Sequence, residues 1–87
     1  MSEQRDAARQ YIIATCRTLA LDEEEHFDKR VVRAGFPAIV GGRSSEDQIL
    51  DNLPGSNYGA FLCRRDVATG DYIVSRHEPS GELIRHH

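Results

Sequence analysis

Arg64 is the residue whose type and setting most directly suggest chemistry. It sits in the run Gly59-Ala60-Phe61-Leu62-Cys63-Arg64-Arg65, so a guanidinium follows five small or apolar residues inside a strand-like segment. The stem of such an arginine lies half buried, and its planar fork is presented to whatever lies over the sheet. This cation calls for an anionic partner. One source is internal, Asp47 or Asp51 on a neighbouring helix, forming a structural ion pair. The other is an outside carboxylate or phosphate held by a two-pronged, charge-assisted hydrogen bond. The internal pair is the more ordinary arrangement.

The remaining reactive side chains do not assemble into a catalytic set. Ser75 and His77 share one strand face, yet nothing marks an oxyanion hole or a third orienting group, so they read as a solvent-facing pair. The histidines at 26, 77, 86 and 87 show no four-residue helical spacing, and Cys16 and Cys63 are too few for a disulfide framework or a four-ligand zinc site. Cys63 alternates with Phe61 on one strand face as a small buried hydrophobe, which sends Arg64 to the opposite face. Gly41-Gly42 lacks the spaced glycines and the lysine of a phosphate loop and reads as a hinge between a strand and a helix. No enzyme activity, metal or cofactor is expected.

The chain has 87 residues, enough for one small domain that buries roughly 60–65% of its unfolded surface. With so thin a core, function is expected at the surface. Eleven Lys and Arg against fourteen Asp and Glu give a formal charge of −3, the wrong sign for a protein whose main task is holding a phosphate backbone. The basic residues Lys29, Arg30 and Arg33, or Arg64, Arg65, Arg76 and Arg85, are therefore a disfavoured nucleic-acid surface. No run approaches a membrane span, and Met1 to Asp6 lack a signal peptide's charged start and apolar stretch. With only two cysteines, the expected setting is a soluble, cytoplasmic one with no membrane partner.

The elements that must position Arg64 follow from periodicity and punctuation. Ser2 to about Ala20 contains no Gly or Pro and repeats Ala8, Ile12, Cys16 and Leu19 at helical spacing. Asp22 to Glu25 predict the start of a second helix, with Phe27, Val31 and Ala34 on its inner face and Gly35 and Pro37 ending it. Phe36 to Val40 predicts a short edge strand, and Ser44 with Asp47 a capping box for a third helix carrying Ile49, Leu50 and Leu53. Three strands then follow, Tyr58 to Arg65, Asp71 to His77 and Glu82 to His86, as an antiparallel meander. The expected fold is a single α+β domain, a helical segment over 1–35 and a strand, helix and meander over 36–87.

Arg43 before a short helix, then Gly59-Ala60-Phe61-Leu62-Cys63-Arg64, Gly70-Asp71-Tyr72-Ile73-Val74-Ser75 and Leu83-Ile84-Arg85-His86 together resemble the first half of a Src-homology 2 domain. The match covers about residues 36 to 87, with Phe36-Pro37 and Arg65-Asp66 standing where the family usually carries a tryptophan and Glu-Ser. The resemblance implies that Arg64 grips phosphotyrosine, assisted by Arg43 and His86, with the adjoining loop from Arg65 onward beside the phosphate. A planar guanidinium suits a phosphate with three acceptor oxygens.

Two binding roles follow as expectations. The first is a non-catalytic protein-binding module that anchors a phosphorylated or acidic side chain through Arg64. The second is a stand-alone regulator or inhibitor of bacterial or phage type that docks on a host protein. In that role Tyr11, Tyr58 and Tyr72 act as partly exposed anchors, and the first helix can pair with its copy in a homodimer.

Overall fold

The computed structural model describes residues 2–79. Helix α1 (Ser2–Arg17) buries the Ile12 and Cys16 stripe, and Leu19, just past its end, joins the same core. Its last turn tightens through bonds from the Thr18 and Leu19 amides to the Thr15 and Cys16 carbonyls.

The chain then enters strand β1 (Glu24–Phe27) where a second helix start was expected. Asp22 adopts a left-handed φ of 68°, which an aspartate tolerates. Its amide bonds to the Arg76 carbonyl at 2.8 Å while the Arg76 amide bonds to Glu23, so two residues oppose one and the chain kinks into the sheet. Along β1 exposure alternates with a period of two, Glu24 and His26 outward, Glu25 and Phe27 inward. The acidic run thus serves a strand that completes a sheet, and the capping role falls to Asp28, whose carboxylate accepts from the Arg30 amide at 2.7 Å.

Helix α2 (Lys29–Gly35) consequently buries Val32 and Gly35, while Val31 is half-buried and Ala34 exposed, in place of the expected Phe27, Val31 and Ala34 face. Gly35 is where α2 meets α1: a Cβ there would lie 3.0 Å from the Arg9 amide nitrogen and 3.2 Å from Ala8. The Arg9 Nε donates to the Gly35 carbonyl at 2.6 Å and so satisfies one of the open acceptors at the end of α2.

The segment after Phe36 forms a hairpin, strand β2 (Ile39–Val40) paired with β3 (Arg43–Ser44), instead of an edge strand of the main sheet. Gly41 and Gly42, at φ 57° and 79°, form its two-residue turn, since positive φ at both central positions is what a tight hairpin requires. Helix α3 (Ser45–Asp51) begins at the expected capping box, with Ser44 and Asp47 exchanging hydrogen bonds. Ser45 is buried, and its hydroxyl donates to the Phe36 carbonyl at 2.6 Å.

A short 3-10 turn (Ser56–Tyr58) leads into β4 (Phe61–Arg65) and β5 (Tyr72–Arg76). The sheet order is β1-β5-β4, antiparallel throughout, so β5 is central and its second neighbour comes from the amino-terminal third of the chain. The expected strand over Glu82 to His86 lies outside the described residues. The reading of 1–35 as a helical segment is corrected by β1, which takes the second edge of β5, while the α+β class stands. One face of the sheet, carrying Phe27, Phe61, Cys63, Tyr72 and Val74, packs against Ile12, Cys16, Val32 and Ile49 of the helices. Among the described residues no helix is long and apolar enough to cross a membrane.

Candidate functional site

The strand alternation places Arg64 on the sheet face opposite the core, as the sequence implied. Register sets it opposite Ile73 of β5, which on its other side faces His26 of β1. Leu62, Ser75 and Glu24 form the next row of the same face. Leu62 is 49% exposed and Ile73 only 8%, although Ile73 is not part of the core cluster.

The fork of Arg64 is occupied from within. One terminal nitrogen lies 3.2 Å from the Glu24 carboxylate, reaching across β5. Neither Asp47 nor Asp51 takes this part, because both belong to α3 and the core side of the sheet. Missing Glu24 follows from missing β1: read as a helix start, Glu24 had no route to β4. Both side chains of the pair are half-exposed, and an ion pair this wet contributes only about 0–1 kcal/mol.

The other proposed ligand residues are dispersed. Arg43, in the hairpin that leads into α3, forms two hydrogen bonds to Asp51 at 2.8 and 3.2 Å, which push its pKa up. It does not join Arg64, because α3 lies on the opposite side of the sheet. Arg65 stacks its guanidinium over the Tyr72 ring at 5.3 Å. His86 lies outside the described residues. Of the three tyrosines, Tyr11 and Tyr58 are exposed, at 54% and 41%. Tyr72 is buried at 1%, because its place on central β5 points it into the core, so it is no surface anchor. Tyr11 also meets Phe27 edge-on, with ring centroids 5.9 Å apart.

Sequence reasoning passed over a second polar node. Asp71 accepts from the Lys29 amide at 3.0 Å and contacts His26 Nε2 at 3.0 Å, tying β1, the start of α2 and the β4–β5 turn together. The Lys29 amide first, then the His26 ring, hold its carboxyl below the usual carboxylate range. The signal for this node was weak, since Asp71 reads simply as the first residue of a strand.

Cys16 and Cys63 are both free and buried, and burial pushes each thiol up to about 12. Such thiols are neutral and poor nucleophiles. Iodoacetamide at neutral pH is therefore expected to label neither cysteine in the folded chain and both in urea, read by intact mass. Rapid labelling of Cys63 without denaturant would overturn its placement. Among the described residues no three His, Cys, Asp or Glu side chains are grouped to hold a metal ion.

Against known protein families, curated proteins and solved structures, no match to this chain was found.

Proposed function

We propose that the chain is a non-catalytic protein-binding module that docks through the side of its sheet facing away from the helices. The observation that carries this reading is the placement of Leu62 and Arg64 on that side, both half-exposed, with a solvated Glu24 the one ion-pair partner of the guanidinium among the described residues. An apolar side chain beside an accessible fork supplies contact area together with a directional anion site. An incoming acidic or phosphorylated side chain displaces Glu24 at a cost of about 0–1 kcal/mol. The contact it forms gains over the Glu24 pair where the interface excludes water and, for a phosphate, through the higher charge and third acceptor oxygen.

The resemblance to the Src-homology 2 family makes a phosphotyrosine peptide the first probe, with its unphosphorylated form as control. Fluorescence anisotropy is expected to show affinity falling about tenfold in Arg64→Ala and rising in Glu24→Gln, where the internal competitor has lost its charge. Equal affinities across wild type and both variants would refute the role of Arg64. A second reading, a stand-alone regulator that docks on a host protein, draws on the apolar hairpin tip, where Ile39 and Val40 are 76% and 51% exposed. Loss of host-protein capture in Ile39→Ser, with Arg64→Ala silent, would favour it over the first.

A further inference from the structure

The helical side of the molecule carries a separate feature. A shallow cavity of about 380 Å³ opens between α1 and the end of α3, lined by Arg9, Gln10, Ile13, Ala14, Arg17 and Asn52. Its lining holds two guanidinium groups and no carboxylate, on a chain with fourteen acidic residues and a net charge of −3. Arg9, Ile13 and Arg17 follow one another at four-residue steps, so they share one ridge of α1, with the apolar side chain between the two cations.

The two arginines are held differently. Arg9 is fixed by its bond to the Gly35 carbonyl at 2.6 Å and by its guanidinium stacking 5.4 Å from the Phe36 ring centre. Only one of its five N–H donors is used in that bond. Arg17, in the last turn, forms no ion pair among the described residues.

We propose that this trough binds an extended acidic segment of a partner protein in which two carboxylates bracket one apolar side chain. Eight residues of helix set the Cα atoms of Arg9 and Arg17 roughly 12 Å apart. In an extended chain, residues i and i+4 lie on one face roughly 13 Å apart, with i+2 between them. The spacing of a Glu-Ser-Leu-Ser-Glu strand therefore matches the ridge: each carboxylate meets a guanidinium and the leucine meets Ile13 and Ala14. A partner helix, about 10–12 Å across, is too broad for a cavity near the small end of ligand sites. Nucleic acid is disfavoured because two cations on an acidic chain supply few phosphate contacts.

The trough and the Arg64 face lie on opposite sides of the sheet, so separate variants test them. The probe is the capped peptide Glu-Ser-Leu-Ser-Glu, with Gln-Ser-Leu-Ser-Gln as control, titrated into the isotope-labelled full chain and followed by amide shifts. Saturable shifts are expected along Arg9 to Arg17 and at Asn52, with none from the control peptide. Affinity is expected to fall about tenfold in Arg17→Gln, and likewise in Ala14→Glu, which places a carboxylate in the trough at an exposed helix position. A folded amide spectrum in both variants separates lost binding from lost structure.

Equal binding of the control peptide, undiminished affinity in Arg17→Gln, or shifts centred on Arg64 would overturn the proposal. So would tighter binding of a single-stranded oligonucleotide, or self-association through α1.

Discussion

Phe27→Ala is expected to lower the free energy of unfolding by about 3–5 kcal/mol, as large aromatic truncations in close-packed cores do. Phe27 is 2% exposed, ends β1 and joins that strand to α1 through its edge-on contact with Tyr11. Losing the ring opens a cavity where a short strand meets a helix, and it forfeits the aromatic pair as well, about 0.5–1.5 kcal/mol within that total. Domains of this size have only about 5–10 kcal/mol in reserve. A urea melt is therefore expected to show a midpoint shifted far down, or a variant already partly unfolded in buffer. A loss under about 1 kcal/mol would mean that β1 is not seated on the helices.

The next largest effect is expected at the contact of α1 with α2. Gly35→Val inserts three carbons where even a Cβ would sit 3.0 Å from the Arg9 backbone nitrogen and 3.2 Å from the Ala8 carbonyl carbon. Backbone atoms cannot swing aside as a side-chain end can, so the helices must separate, and the bond from Arg9 to the Gly35 carbonyl is lost with them. Overpacking costs typically about 1–3 kcal/mol and a hydrogen bond from a charged donor about 1.5–3 kcal/mol; both arise from one displacement of the helices and do not add in full, so the expected loss is about 2–4 kcal/mol. Thermal melts compare Gly35→Val with Gly35→Ala, where the smaller clash is partly offset by alanine's better helix propensity. A valine variant as stable as wild type would show that the two helices are not in close contact.

Local signals in the sequence were read well where one segment carried both pattern and punctuation. Ser44 and Asp47 announced α3 because a capping box is complete within four residues. Alternation in Phe61-Leu62-Cys63 placed Arg64 on the outer face, since a strand's period of two needs no tertiary information. What could not be read locally was any feature set by a distant partner. Glu24 and Glu25 look like a helix start until β5 supplies a hydrogen-bonding edge fifty residues later. The anion that fills the fork of Arg64 was hidden for the same reason, because it comes from that unrecognised strand. Tyr72 read as a partly exposed anchor because nothing in Asp71-Tyr72-Ile73 tells which strand will be central. The trough on α1 was equally invisible, as Arg9 and Arg17 become a paired site only once the end of α3 stands beside them.

The central place of β5 also governs how this chain matures during biosynthesis. Glu24 pairs with Ser75 and Phe61 with Arg76, so both outer strands wait on one segment near the end of the described chain. While a nascent polypeptide leaves the ribosome at about 5–20 residues per second, α1, α2 and α3 can form, but no part of the three-stranded sheet can. Until then Phe27 and Phe61 have no strand between them to close the core, and the young chain offers those rings to chaperones or to its neighbours. Any message truncated ahead of Tyr72 yields helices with nothing to rest on.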